Sequence, residues 1–246
     1  MDRMLYVAMS GAKETLHAQA AVNNNMANAN TPGFLADLQQ FRSMPVFGAG
    51  HPTRVFAMSE RPASDRSPGT LDHTGRDLDV AIKEGGWLAV QGADGREAYT
   101  RRGDLEVDQN GRLVTGEGLP VMGNNGPIAL PPFEKIEIGA DGTISVRPQG
   151  GESNEIAEVD RIKLVKASND ELQKGDDGLM HTRNGTALPA DADARLASGS
   201  LVASNVDLVG EMVSMIELSR RFELQVKMMK TAEEAGAASA TLLKPV

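Results

Sequence analysis

Ala21-Val22-Asn23-Asn24-Asn25-Met26-Ala27-Asn28-Ala29-Asn30-Thr31-Pro32-Gly33-Phe34 reads as the end of a helix that starts near Met4. Asparagine at 23, 24, 25, 28 and 30 is a density of backbone-competing side chains that an isolated helix does not choose. Thr31-Pro32-Gly33 then stops it. Proline supplies no helical N–H and pushes Thr31 out of the helical region, while glycine takes the backbone angles of a sharp exit. In a packed helical layer such amides can bond across neighbours and fix register, as buried polar residues do in coiled coils.

The same helix is patterned for a partner. Leu5, Ala12, Gln19 and Met26 lie seven apart, with Ala8, Thr15, Val22 and Ala29 between them, a small-residue seam that admits a close neighbour. At the other end of the chain Leu208, Met215, Phe222, Met229, Gly236 and Leu243 recur every seven residues, and Met212, Ser219, Val226, Glu233 and Ala240 fill the intermediate position. A helix from Leu208 to Leu243 is a rod of roughly 50 Å at the α-helical rise. Periodicity alone fits a terminal hairpin closing over a core equally well. The side chains favour assembly, because Met212, Met215, Met228 and Met229 make an adaptable surface suited to repeated, slightly different contacts.

Asn24 to Phe34 resembles the signature of the flagellar rod, hook and hook-filament axial proteins, an Asn-rich helix end running into an extended segment. Ser204-Asn205-Val206-Asp207, Glu211-Met212, Met215-Ile216 and Arg220-Arg221-Phe222-Glu223 resemble that family's C-terminal pattern. The centre resembles it too, through Leu78-Asp79-Val80-Ala81-Ile82, Gly86-Trp87, Tyr99 to Gly103 and Asp108 to Val114. Met1-Asp2-Arg3 followed by Tyr6 to Ala12 is closest in kind to the proximal-rod members, with the distal-rod type as the near alternative.

The bulk properties narrow the function classes. The chain has 246 residues, enough for a sizeable core, yet aromatics are 4% and there are 26 glycines, so that core is built from Val, Ile, Leu and Met between many turns. A net charge of −9 argues against nucleic acid and against an anionic membrane surface. The absence of cysteine removes disulfides and thiolate chemistry. The N-terminus lacks the basic start and apolar run of a cleavable signal, and no stretch approaches the ~20 apolar residues of a membrane span. The resemblance instead implies export through the flagellum's own type III apparatus, without a cleaved signal peptide, to a basal body spanning the periplasm.

Between Leu35 and Thr74, Pro45, Gly48, Gly50, Pro52, Pro62, Pro68 and Gly69 punctuate the chain, and long regular structure is not expected. Val55-Phe56-Ala57-Met58 is a candidate edge strand and Arg61 to Gly69 a loop. From Gly75 the period becomes two. Short strands recur at Leu78 to Ile82, Trp87 to Val90, Tyr99 to Arg101, Leu105 to Val107, Leu113-Val114, Pro120 to Met122, Ile128 to Leu130, Ile136 to Ile138 and Ile144 to Val146, separated by Asp-Gly and Asn-Gly turns. Ile156 to Val165 closes this all-β block beyond Gly150 and Gly151. A further short strand is expected near Leu179 to Thr182, Arg195 to Ala203 is expected to pair with the arm at 35–58, and Ser204 with Asp207 has the spacing of a capping box.

The expected fold is therefore mixed α and β: an all-β central domain with discontinuous N- and C-terminal helices forming a coiled-coil-like helical end. The expected division is 1–30 with 204–246 as a helical polymerisation domain, 31–74 with 185–203 as an extended arm, and 75–184 as an outer β-domain.

Candidate chemistry is sparse. His17, His51, His73 and His181 lack metal-ligand spacing. Gly116 and Gly118 are followed by Pro120, which blocks the helix a phosphate loop needs. Asp77 and Asp79 alternate along one strand, while Asp104, Asp108 and Asp141 read as turn residues. Arg101-Arg102 reads as a solvated face, and Arg220, with Glu217 and Glu223 nearby, as a salt-bridged helix exterior. In a polymer such charges set register with acids of the next copy.

No catalytic, cofactor or metal residue is expected. The resemblance implies a structural subunit of the rod that assembles helically with itself and with other rod proteins to transmit torque, with the export apparatus as a transient partner. The interface is expected to involve Leu5, Ala12, Val22, Asn24, Asn25, Met26, Asn28, Gly33, Phe34, Asn205, Met212, Met215, Ile216, Phe222, Val226 and Met229. The rival from another class is a secreted β-domain glycan-binding module or hydrolase with a helical dimerisation hairpin.

Overall fold

The computed structural model describes residues 4–45, 47, 55–83, 85–149, 156–168 and 170–242. Gly48, Gly50, His51, Pro52, Gly150, Gly151 and Leu243 lie outside the described residues. Among the described residues two helices and sixteen strands run in the order α1 Met4–Ala27, β1 Asp37–Pro45, β2 Val55–Ser64, β3 Leu71–His73, β4 Val80–Ile82, β5 Trp87–Gln91, β6 Glu97–Thr100, β7 Leu105–Val107 and β8 Leu113–Thr115. There follow β9 Phe133–Ile138, β10 Thr143–Pro148, β11 Ala157–Arg161, β12 Leu164–Val165, β13 Leu172–Lys174, β14 Met180–Thr182, β15 Leu196–Ser198, β16 Ser200–Val202 and α2 Leu208–Leu242. The mixed α and β fold expected from the sequence is the one observed, organised as two compact units.

The first unit draws on residues 1–29, 36–65 and 206–246. Its helices pack on each other, and α1 also lies against β1 and β2. Ala8, Ala12, Thr15 and Ala18 are the buried face of α1, so small side chains let the second helix approach. α2 begins one turn later than the capping-box spacing implies. Asp207, not Ser204, caps it, with Oδ1 accepting the Val209 N–H at 3.1 Å and its carbonyl accepting the Glu211 N–H at 2.9 Å.

Residues 37–45 and 55–64 overturn the expectation of short irregular structure. β1 and β2 form a long antiparallel hairpin in which Pro45 pairs with Val55, Met44 with Phe56 and Arg42 with Met58. The register breaks between Leu38 and Gln40, opposite Pro62. A proline that cannot donate to the ladder is accommodated at such a break in an edge strand.

The second unit, residues 30–35 and 66–205, is the β-block. Its largest sheet has the order β12-β5-β6-β14-β13, accompanied by β11-β10-β9 and by the pairs β7-β8, β15-β4 and β16-β3. β5 is apolar along both faces because both are covered. Leu88 and Val90 join a core with Val80, Leu105, Leu113, Ile144 and Leu196, whereas Trp87 and Ala89 join Leu35, Tyr99, Leu172 and Met180 on the other side.

Three expectations are corrected here. Residues 196–202 pair with β4 and β3 rather than with the segment 35–58. Pro120 to Met122 and Ile128 to Leu130 contribute isolated bridges instead of strands. β13 was not anticipated, since Leu172–Lys174 contains a single apolar residue.

Candidate assembly interface

The α1 and α2 seam is antiparallel. Asn25 Nδ2 donates to Glu211 Oε1 at 2.7 Å, Gln19 Nε2 lies 3.3 Å from Met215 Sδ and 3.2 Å from Ser219 Oγ, and Thr15 Oγ1 lies 3.4 Å from Gln225 Oε1. Along α2 a shielded stripe runs through Glu211, Met215, Leu218, Phe222, Gln225, Met229 and Ala232, with Ser219 half-buried beside Leu218. The stripe alternates steps of four and three. The heptad reading placed the intermediate position at Ser219 and Val226; at the first, Ser219 is half-buried against Gln19 beside the buried Leu218, and at the second Gln225 takes the seam while Val226 is 43% exposed. The +3 step was present in the sequence; only the partner's side chains select it over +4 at Gln225.

Asn25 is the tightest polar joint in this unit. It is 1% exposed, and beyond its bond to Glu211 its Nδ2 donates to the Asp37 carbonyl at 3.0 Å while its Oδ1 accepts the Asp37 N–H at 2.8 Å. One amide thus joins α1, the start of β1 and α2. Asn24 Nδ2 donates to Asp37 Oδ2 at 2.7 Å on the exposed side, and Asn28 Nδ2 donates to the Asn24 carbonyl at 2.9 Å. The asparagines were expected to bond across neighbouring helices; in the single chain they bond to their own helix end, hairpin and α2. Neither Asp37 nor Glu211 was anticipated, because the contact joins segments with no shared sequence pattern.

The remaining candidate residues divide between the units. In the first, Ala12 is buried, Val22, Met26, Met215, Phe222 and Met229 are half-buried, and Leu5, Met212, Ile216 and Val226 are exposed. Ile216 is 55% exposed beside Val209 at 70% and Val213 at 53%, and on α1 Leu5, Tyr6, Met9 and Leu16 are also open. The hairpin leaves Leu38, Phe41, Met44, Val55 and Met58 open as well.

Gly33, Phe34 and Asn205 belong to the second unit. Gly33 has φ 69, its N–H donates to the Val202 carbonyl at 2.7 Å, and a Cβ there would fall on the Arg101 carbonyl. Lys174 Nζ sits 4.2 Å from the centre of the Phe34 ring, and Asn205 Nδ2 donates to the Ser67 carbonyl at 3.1 Å.

The arginine pair is corrected. Arg101 is buried with its guanidinium 4.5 Å from the centre of the Trp87 ring and donating to the Arg66 carbonyl at 2.9 Å. Burial, then the Arg66 charge, pulls its pKa below the ordinary value. Arg102 grips Asp104 with two bonds of 2.7 and 2.9 Å and reaches Glu117 at 2.6 Å, and the hydrogen bonding to Asp104 raises its pKa. Asp104 is therefore a salt-bridge partner rather than a turn residue. On α2, Arg221 rather than Arg220 approaches Glu217, at 3.7 Å.

The polar interior of the β-block is likewise structural. Tyr99 donates to Glu97 Oε1 at 2.8 Å and accepts the Leu188 N–H at 2.8 Å, and burial pushes its hydroxyl up to about 12. Lys163 closes on Glu97 at 2.8 Å. Asp79 is buried beside Thr74 and Arg76, apart from any second acid in hydrogen-bonding reach among the described residues. His181 pairs with Asp177 at 2.9 Å, His73 lies 3.2 Å from Ser200, and among the described residues no group of three His, Cys, Asp or Glu is placed to hold a metal ion. No described helix is long and apolar enough to cross a membrane.

Three family descriptions match the chain in series: Flagella basal body rod protein at residues 5–34, Flagellar hook protein FlgE/F/G D1 domain at 81–146, and Flagellar basal body rod FlgEFG protein C-terminal at 197–242. The flagellar basal-body rod protein FlgF of Escherichia coli K12 is 46% identical over 98% of this chain and 99% of its own length. FlgF of Salmonella typhimurium LT2 is 45% identical over 95% of each chain, and FlgG of Bacillus subtilis 168 is 33% identical over 95% of this chain and 96% of its own.

Proposed function

The chain belongs to the flagellar basal-body rod family and is a FlgF-like structural subunit of the rod, and from that premise we propose that it occupies the proximal rod and polymerises through its two helices. Its place is the basal body, in assembly with other rod components. The observation that carries the reading is the coincidence of the matched terminal segments with a helix pair whose internal seam is filled while a second apolar stripe stays open.

The interface residues then have two roles. Ala12, Val22, Asn25, Met26, Met215, Phe222 and Met229 join the helices of one subunit. Leu5, Met212, Ile216 and Val226 meet neighbouring subunits, self copies and other rod proteins alike. A surface that meets a different surface on the next copy, with a rotation that does not close, generates an open helical assembly. The sequence division of 1–30 with 204–246, 31–74 with 185–203, and 75–184 shifts accordingly: the helices with the β1-β2 pair form the polymerisation unit, and 75–184 with the strands at 196–202 form the outer unit. Gly33, Phe34 and Asn205 hold the segment that belongs to the β-block, while Asn24 ties the helix end to the start of β1 and Asn28 bonds back to Asn24.

The subunit is non-catalytic, needs no cofactor, binds no nucleic acid and inserts in no membrane. It reaches the periplasm-spanning rod through the flagellar type III apparatus. Supporting the FlgF-like assignment over a FlgG-like one is the higher identity to FlgF, 46% against 33%.

The test is a paired substitution. Ile216→Asp with Leu5→Asp is expected to abolish rod assembly and motility while leaving the melting of both units unchanged. Leu218→Asp, on the inner seam, is expected to lower helical stability as well. Motile cells carrying the exposed pair would overturn the proposal.

A further inference from the structure

Six steps in the chain place glycine after Asn or Asp: Asp94-Gly95, Asn110-Gly111, Asn125-Gly126, Asp141-Gly142, Asp177-Gly178 and Asn184-Gly185. Such a step permits cyclisation. The glycine nitrogen attacks the side-chain Cγ and loses its proton, the amide of asparagine departs as ammonia, and water opens the resulting succinimide to aspartate or isoaspartate. The attack requires the glycine N–H to be released from any hydrogen bond that holds it in the turn.

Five of the six are held. Gly95 N–H donates to Gly92 O at 2.9 Å, Gly111 to Asp108 O at 3.0 Å, Gly142 to Gly139 O at 3.0 Å, Gly178 to Gly175 O at 3.1 Å and Gly185 to Thr182 O at 3.1 Å. Gly126 differs. Its turn is closed from the other direction, by the Gly123 N–H donating to the Gly126 carbonyl at 2.7 Å, and among the described residues nothing accepts the Gly126 N–H. Asn125 is exposed, and its amide has no hydrogen bond among the described residues. The neighbouring Asn124 precedes Asn125, whose side chain obstructs the same attack.

We propose that Asn125 is a site of spontaneous deamidation, with water as the only co-reactant, and that Asn110 and Asn184 are protected by their turns. Each event adds a negative charge to a chain already at −9. The isoaspartate product also lengthens the main chain in the turn between Met122 and Pro127, a bridge whose flanks are anchored in the core by Val121 and Ile128.

The experiment incubates the intact chain in mildly alkaline buffer. It follows the three Asn-Gly peptides by mass spectrometry and counts isoaspartate by enzymatic methylation. In the folded protein Asn125 is expected to convert roughly five- to tenfold faster than Asn110 and Asn184, the ratio that a net backbone hydrogen bond sets. In urea the three rates are expected to converge. Asn125→Gln is expected to remove most of the folded-state isoaspartate. Equal rates in the folded chain, faster conversion at Asn110 or Asn184, or an undiminished signal from Asn125→Gln would each overturn the assignment.

Discussion

Replacing Asn25 by alanine tests the joint on which the helical unit turns. The substitution removes a bond to the Glu211 carboxylate and two to the Asp37 backbone. A charge-assisted bond contributes about 1.5–3 kcal/mol and each neutral bond about 1 kcal/mol net. Asp37 and Glu211 are only half-buried, so water recovers part of this, and the expected loss is about 3 kcal/mol. For a domain in this size class that lowers the melting midpoint by on the order of 15 °C. Helical circular dichroism reports the first unit, since both helices belong to it, and fluorescence of Trp87, the sole tryptophan, reports the second. The helical transition should fall while the Trp87 transition holds. Asn24→Ala, at an exposed bond, should cost less than about 1 kcal/mol. Asn25→Asp should destabilise at neutral pH, because it sets a carboxylate against that of Glu211, and should recover as pH falls through the carboxylate range and one proton restores a donor. Equal costs at Asn24 and Asn25, or a Trp87 transition that moves with the helical one, would refute the reasoning.

Other perturbations address the β-block. Gly33→Ala forces a side chain into a left-handed conformation, costing about 1–2 kcal/mol, and onto the Arg101 carbonyl besides, so the Trp87 midpoint should drop sharply. Arg101→Lys loses the planar contact with Trp87 and the fork that reaches the Arg66 carbonyl; Trp87 emission should shift and stability fall by about 1–3 kcal/mol in urea titration. Tyr99 carries a pH signature. Its hydroxyl ionises near 10 when unfolded and about 12 when folded, so its contribution is complete below pH 10 and is lost as pH rises toward 12, at up to about 1.4 kcal/mol per pH unit. Stability measured across that window should decline less steeply in Tyr99→Phe than in the parent.

Local pattern carried much of this fold. The small-residue seam and the Thr-Pro-Gly stop locate α1, whose last turn ends at Ala27, three residues short of that stop, the heptad identifies α2, and the Asp-Gly and Asn-Gly turns mark out the hairpins of the β-block, because helix and strand periods are properties of neighbouring residues. Partner choice is not local. Residues 196–202 have the same short apolar pattern whether they pair with β3 and β4 or with the arm, and only the closed topology of the second unit selects the former. The hairpin of residues 37–45 and 55–64 was obscured by its proline, which a register break absorbs once the strands meet.

The candidate interface divides in the same way. Composition nominated the asparagines and methionines, but whether an amide is buried depends on segments far apart in the chain, so Asn25 and its exposed neighbour Asn24 look alike until Asp37 and Glu211 close over one of them. A heptad allows its second position at a step of three or four, and it is the opposing helix that chooses Gln225 over Val226. Charge is as ambiguous: Arg101 reads as a surface residue until Trp87 covers it. The sequence by itself determined the two helices, most strands of the β-block and the family. Tertiary structure alone decided which faces are spent within the chain and which remain open, because burial is a property of surfaces brought together and not of the residues that supply them.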